Sequence, residues 1–180
     1  MNEKIYALFG AVGPLVAYIF IGVSIALSPW FSWERNALSD LGHAVKSGVA
    51  PIYNFGLLLT GFLLMIYGVT VLRGYARWTS YSLAISAFIL QLVAAFDEVY
   101  GLLHSVVSFL FFVSLGSTSI MYAMERKSSL AVIAFIIGFF SWIFYWARIY
   151  SAGVAVPETI SSVAVLSWII SSALRIYTSK

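Results

Sequence analysis

The stretch that decides the fold is the first apolar run, IYALFGAVGPLVAYIFIGVSIAL, residues 5–27, which carries no charged side chain. A helix needs about 20 apolar residues to cross the roughly 30 Å hydrocarbon core of a bilayer. The run is too long for the apolar segment of a signal peptide, and no small-residue cleavage pattern follows it. It therefore predicts a retained transmembrane helix.

Five further stretches of similar length and apolarity follow along the 180-residue chain. The strands of a membrane β-barrel would alternate apolar and polar residues, whereas these runs are continuously apolar. The sequence therefore predicts an all-α integral membrane protein, a single domain over residues 1–180 built as a bundle of six transmembrane helices. The predicted spans are Ile5–Leu27, Pro51–Leu72, Trp78–Phe96, Val99–Ala123, Leu130–Tyr150 and Glu158–Tyr177.

The composition excludes several classes of protein. The chain is 62% hydrophobic and 9% charged, whereas soluble domains carry about 25% charged residues. It has no cysteine, which excludes disulfides, thiolate nucleophiles and cysteine metal sites. The net charge of +3 arises from residues that flank the apolar runs. Because no basic face exists, the sequence predicts membrane lipids as partners and no nucleic acid.

Lysine and arginine residues divide unequally between the two sides of the predicted bundle. Six spans place both chain ends on one side, together with seven of these ten residues: Lys4, Arg73, Arg77, Arg126, Lys127, Arg175 and Lys180. The other side holds Arg35, Lys46 and Arg148. The positive-inside rule then predicts cytoplasmic termini, outward-facing first, third and fifth loops, and a multi-pass protein of the cell membrane.

Polar side chains gather on the predicted outward side, above all in NALSDLGH, residues 36–43. Asp97 and His104 lie seven residues apart, which places them on one helix face, and an ionisable residue inside a span is a functional-site hypothesis. A structural Asp–His pair is the alternative. The predicted catalytic residues are Ser39, Asp40, Asp97 and His104, and the predicted substrate-binding residues are Asn36, Asn54, Arg148 and Tyr150.

Three chemistries suit this set of residues. His43, His104, Asp97 and Glu158, with Asp40 and Glu98 as further candidates, are the side-chain types that hold a divalent metal such as zinc. Ser39 with a histidine and an aspartate would form a nucleophile system. Proton or ion handling is the third. The competing interpretation is that Asp97, Glu98 and Glu158 favour helix N-termini and Arg148 a helix C-terminus.

Three segments also resemble a known family. NALSDLGHAVKSGVAPIYNFGLLLTGFLL (36–64), DEVYGLLH (97–104) and ARIYSAGVAVPE (147–158) resemble the six-span membrane family catalogued as domain of unknown function 998. The chain is more weakly similar to the Frag1/DRAM/Sfk1 group. The first resemblance implies a six-span bundle without a defined activity, and the second favours a lipid ligand.

A further comparison concerns the seven-span hydrolases that include alkaline ceramidases, which use a Ser, an Asp and three His around zinc. This chain has only His43 and His104, and one span too few.

Together these observations predict a lipid-directed hydrolase or transferase, metal-dependent in one version, with its site at the outer headgroup level. Arg148 would grip an anionic headgroup, since a guanidinium binds phosphate at two points. The alternatives are a transporter or binding protein for a small polar or lipidic ligand, and an accessory subunit of a membrane complex. The sequence does not identify partner proteins.

Overall fold

The computed structural model describes residues 3–179, which contain six long helices and no β-strand. All six are long and apolar enough to cross a membrane. Within lipid a helix satisfies every backbone hydrogen bond internally, so the apolar runs form helices. The helices are α1 (Glu3–Ala26), α2 (Ala50–Tyr75), α3 (Arg77–Ala95), α4 (Leu102–Arg126), α5 (Ser129–Trp146) and α6 (Ala155–Thr178).

The predicted fold class is thus confirmed, and the protein is a multi-pass membrane protein. Five predicted boundaries differ from the structure by three or four residues, including the ends of the second and fourth helices, which lie at Tyr75 and Arg126. The fifth helix ends at Trp146 rather than Tyr150, because Arg148 adopts a left-handed backbone conformation with φ of 53°. The sixth begins at Ala155, three residues before Glu158, and the fourth begins at Leu102 after a 3₁₀ turn at Glu98–Tyr100.

The helices form a closed ring in chain order. Each helix packs against its two neighbours in the sequence, and α6 packs against α1 to close the ring. Of these six neighbour contacts, the one between α4 and α5 is the least extensive. A small cavity of about 100 Å³ lies inside the ring, among residues of α1, α2, α3, α4 and α6.

One end of the ring is covered by the long connection between α1 and α2, residues 27–49, which we term the lid. The lid contains a 3₁₀ turn, Leu38–Gly42, whose Leu38 and Leu41 are buried; the turn packs against α1, α2 and α6. The lid also docks on the α5–α6 connection, where the Gly153 amide donates to the Trp33 carbonyl at 2.8 Å and the Ala155 amide to the Asn36 carbonyl at 2.9 Å. NALSDLGH is therefore a folded cover with an apolar underside.

The opposite end of the ring holds six of the seven basic residues that were predicted to share a side with the chain ends. The seventh, Lys180, lies outside the described residues. Glu3 and Glu125 are the acidic residues of this end, and Glu125 has a structural role. Its carboxylate accepts hydrogen bonds from the Trp78 and Thr79 amides at 2.8 Å each and so caps the start of α3. The placement of this end in the cytoplasm stays a prediction.

Candidate functional site

Glu158 lies in the first turn of α6, buried beneath the lid. One of its oxygens, Oε2, accepts a hydrogen bond of 2.7 Å from the Leu38 amide. The groups that act on it electrostatically are the carboxyl groups of Glu98 and Asp40. Glu158 thus fastens the lid to α6 while sharing one end of the ring with two other acids.

Glu98 lies opposite, in the short connection between α3 and α4. Its Oε1 accepts a hydrogen bond of 2.7 Å from the Ser39 hydroxyl. Burial raises the pKa of Glu98, the Ser39 hydrogen bond lowers it, and the neighbouring Asp40 carboxyl raises it again. Ser39 is therefore bonded to a glutamate and not to a histidine, so the predicted Ser39–His–Asp nucleophile system is not formed.

Asp40 is occupied within the lid itself. Its Oδ2 accepts from the Asn36 side-chain amide at 2.7 Å and from the Ala37 backbone amide at 3.0 Å. These bonds cap the 3₁₀ turn, as a short polar side chain at this position favours. Asp40 and Asn36 thus shape the lid, and Asp40 adds negative charge beside Glu98.

His104 is buried in the first turn of α4. Its Nδ1 lies 2.7 Å from the Phe96 carbonyl oxygen, at the end of α3, and its Nε2 lies 3.2 Å from the Ser108 hydroxyl. Because a carbonyl only accepts, Nδ1 carries the proton, and in the neutral ring Nε2 accepts from Ser108. The result is a serine–histidine pair one helical turn apart.

The predicted Asp97–His104 pair is not formed by these contacts. Asp97 is buried, but its Oδ1 accepts the Val99 amide at 2.8 Å and caps the turn that starts there. The seven-residue spacing assumed a continuous helix, whereas α4 begins only at Leu102. Asp97 and His104 therefore stabilise the same chain reversal through separate bonds.

The remaining predicted residues have local partners. The Asn54 side chain donates to the Gly42 carbonyl at 2.8 Å, and the Tyr150 hydroxyl donates to the Ser141 carbonyl at 3.2 Å. His43 accepts the Val45 amide through Nδ1 at 3.3 Å, within the lid. Arg148 is exposed on the α5–α6 connection. Asn54 and His43 hold the lid, and Arg148 does not line the small cavity inside the ring.

The predicted metal ligands are not brought together. Within residues 3–179, no group of three or more His, Cys, Asp or Glu side chains has a geometry that could hold a metal ion. The reason lies in the bonds above: Asp97 caps a turn, His43 binds within the lid, and Glu158 accepts from Leu38. The residues present therefore do not fit the zinc site that the sequence suggested.

The feature that the sequence did not predict is a cavity of about 680 Å³ between α4 and α5, backed by α6. We call it the lateral cavity. Along α4 its wall runs from His104 to Ile120, a rise of about 24 Å at 1.5 Å per residue. Wall residues such as Phe109, Phe139 and Trp146 are also exposed on the outer surface, so the cavity opens sideways, where lipid surrounds the protein.

The two ends of the lateral cavity differ in chemistry. At the lid end its wall contains polar side chains, which are Ser39, Glu98, His104, Ser105, Ser108, Glu158 and Ser161. Farther along, the wall is almost wholly apolar and includes Phe112, Val113, Ile120, Phe135 and Phe139. A cavity with one polar end and a long apolar body matches the shape of a single-chain amphiphile.

Trp142 places an unpaired donor in this wall. Its indole packs on Phe112 with ring centroids 5.0 Å apart. Its Nε1 is buried and has no hydrogen-bond partner among the described residues. Leaving a buried donor unpaired costs about 1–3 kcal/mol.

Three functional candidates were undervalued or missed at the level of sequence. Glu98 was predicted only as a further metal ligand or as part of a proton- or ion-handling group, and Ser108 and Trp142 were not assigned at all. The signal for Ser108 was available, because residues four apart on a helix face each other. Trp142 carried no such signal, since an unpaired donor becomes visible only when its surroundings are known.

Comparison with known proteins gave one match. A family model described as "Protein of unknown function (DUF998)" matches residues 11–175. No match was found among curated proteins or among solved structures. The weaker similarity to the Frag1/DRAM/Sfk1 group stays a prediction.

Proposed function

Because the chain belongs to the DUF998 family of proteins of unknown function, we propose its function from geometry: it binds a single-chain amphiphile from the membrane in the lateral cavity. The observation that carries this proposal is the polarity of the cavity wall, polar at the lid end and apolar along α4 and α5. The headgroup would lie at the lid end, beside Ser39 and Glu98, and the alkyl chain would follow α4.

The size of the cavity supports this occupant. Small-molecule sites measure about 300–1,000 Å³, and the lateral cavity measures about 680 Å³. Its opening between α4 and α5 lets an amphiphile enter from the bilayer without crossing water. The runner-up role as a transporter would need a polar route onward, whereas the body of the lateral cavity is lined mainly by Phe, Val and Ile.

A cavity-filling substitution tests the proposal. Gly116 lines the cavity, and a Cβ there would meet only the Phe135 ring, at 3.5 Å. Gly116→Leu therefore adds a side chain to the cavity without a backbone clash. The matched control is Gly22→Leu, on an exposed face of α1, where a Cβ would have no atom within 4 Å.

Native mass spectrometry of the purified protein with dodecylamine, dodecanol or dodecanoate measures one-to-one adducts. We expect the wild type and Gly22→Leu to bind at least one of them equally well, and Gly116→Leu to bind it at least about tenfold more weakly, or about 1.4 kcal/mol. Absence of every one-to-one adduct from the wild type would overturn the proposal, as would unchanged binding by Gly116→Leu.

The Ser108–His104 pair favours a second candidate, cleavage of an ester or amide in a bound lipid. Both residues line the lateral cavity, and the 3.2 Å separation between Oγ and Nε2 is within reach of a general base. Ser108 lies one turn, or about 6 Å, farther along α4 than His104. It thus sits below the headgroup position, at the level where a lipid carries its acyl linkage.

In this reaction Ser108 Oγ attacks the acyl carbonyl carbon while its proton passes to His104 Nε2. The linkage breaks, the imidazolium returns that proton to the leaving alcohol or amine, and an acyl-serine remains. Water then attacks the acyl carbon and gives a proton to Nε2, which passes it to Ser108 Oγ as the acid leaves. His104 is held in the required tautomer by the Phe96 carbonyl.

A fluorophosphonate probe that carries an alkyl chain distinguishes this candidate from binding alone. We expect it to label Ser108 in the wild type and not to label the Ser108→Ala or His104→Gln variant. Ser105→Ala is the control, because Ser105 lines the same cavity but donates to the Gly101 carbonyl. A wild-type protein that binds amphiphiles and is not labelled would refute the enzyme and leave the binding protein.

A further inference from the structure

The ionisable wall of the lateral cavity is acidic. Its described residues include Glu98, Glu158 and His104, and no lysine or arginine. The nearby Asp40 carboxyl raises the pKa of Glu98. The ionisable side chains around a headgroup at this end of the cavity are therefore carboxyl groups and one histidine.

The carboxyl groups of Glu98, Glu158 and Asp40 carry charge of the same sign when ionised, so none of them offsets the charge of another. The electrostatic neighbours of Glu158 are Glu98 and Asp40, and those of Glu98 include Asp40 and His104. Like charges that share a poorly hydrated site disfavour each other's ionisation. A cation placed between them would remove that repulsion and would itself be paired, as a buried charge requires.

The sequence pointed instead to an anionic headgroup held by Arg148. That side chain is exposed on the α5–α6 connection and does not line the lateral cavity. An anionic headgroup inside the cavity would therefore face Glu98 and Glu158 without a guanidinium to offset them. The charge of the wall opposes phosphate and carboxylate headgroups.

Building on the amphiphile site proposed above, we infer that the ligand's headgroup is a cationic amine bound between Glu98 and Glu158. The hydroxyl of Ser105 and the imidazole of His104 line the same end of the cavity. A hydroxyl can accept one of the ammonium protons. A carboxylate can accept several hydrogen bonds, so Glu158 can keep its bond to Leu38 while it binds the ammonium.

The test compares dodecylamine, dodecanol and dodecanoate, which share one chain length and differ in headgroup charge. The readout is the dissociation constant from native mass spectrometry at neutral pH, where the amine is protonated. We expect the amine to bind at least about tenfold more tightly than the alcohol, or about 1.4 kcal/mol, and the carboxylate to bind most weakly.

Two charge-removing variants locate the effect. Glu98→Gln and Glu158→Gln keep the size and an acceptor oxygen, and each is expected to weaken dodecylamine binding about tenfold with little change for dodecanol. Retained dodecanol binding shows that a variant is folded. Glu34→Gln is the matched control, because Glu34 is exposed in the lid and does not line the cavity.

The outcomes separate this inference from the proposed function. Equal affinity for all three headgroups, or an amine affinity that neither glutamine variant changes, would overturn the amine assignment while leaving the amphiphile site in place. A preference for dodecanol would assign a neutral, hydroxyl-bearing headgroup and overturn it as well. Failure of all three to bind would refute the amphiphile site itself.

Discussion

Replacing Glu158 with alanine is expected to loosen the lid at Leu38. The Leu38 amide donates its hydrogen bond to Glu158 Oε2 at 2.7 Å, and both residues are buried. Alanine removes the acceptor and leaves a buried N–H unpaired, which costs about 1–3 kcal/mol. At about 1.4 kcal/mol per tenfold change, the protection of this amide against hydrogen exchange should fall by about 5- to 150-fold.

Hydrogen exchange followed by mass spectrometry on peptides that cover residues 36–43 measures this effect. Glu158→Gln separates its causes, because glutamine keeps an acceptor for Leu38 and removes the repulsion from Glu98 and Asp40. Its lid should be protected as well as the wild type or better. Glu34→Ala, on the exposed surface of the lid, should change nothing at Leu38. Unchanged protection of Leu38 in Glu158→Ala would refute the idea that Glu158 fastens the lid.

Other predictions concern pH, the lid and orientation. Burial raises the pKa of Glu98, although its hydrogen bond to Ser39 opposes the shift. Because a ligand with a fixed positive charge binds the ionised carboxylate better than the neutral acid, affinity for dodecyltrimethylammonium should rise as the pH increases through the pKa of Glu98 and level off above it. In Glu98→Gln the affinity should not change over this pH range. Gly153→Ala places a Cβ against the backbone of Asn36 and should lower the melting temperature, whereas Gly48→Ala, with no atom within 4 Å, should not. Val45→Cys, on the exposed part of the lid, should react with an impermeant maleimide added outside intact cells, and protection from that reagent would reverse the predicted orientation.

The helices were predictable because their cause is local. Each apolar run is long enough to cross the bilayer, and every residue needed for that inference lies inside the run. The boundaries at Tyr150 and Glu158 failed for a reason that is also physical. Residues 147–154 form a connection shaped by the left-handed Arg148 and by docking of Gly153 on the lid, and neither cause is visible in hydropathy.

The candidate site was predictable only in part. The sequence predicted that Ser39, His104 and Glu158 lie at one end of the bundle, and all three line the lateral cavity, while their functional roles stay predictions. Their partners were not, because Ser39 binds Glu98, 59 residues away, and Glu158 binds Leu38, 120 residues away. A single sequence carries no signal for such pairings.

The lateral cavity could not be predicted from the sequence, because it forms where side chains of neighbouring helices do not contact each other, and such gaps depend on how the helices pack. Small residues usually allow helices to approach closely. At Gly138 this holds, since a Cβ there would lie 3.3 Å from the Ser161 Cβ. At Gly116 the nearest atoms to a Cβ belong to the Phe135 ring, at 3.5 Å, and the same small residue forms part of the cavity wall.

The lid and the lateral cavity depend on the same carboxylates. The lid is fastened through the Leu38 amide on Glu158 and the Ser39 hydroxyl on Glu98, and both glutamates line the cavity. Glu158 is buried and Glu98 is partly buried, so repulsion between their ionised forms costs stability unless something offsets it, yet apolar residues would not bind the polar side of the lid. If the proposed cation joins the two glutamates, it offsets this cost, and we then expect the lid to be most stable when the cavity is occupied.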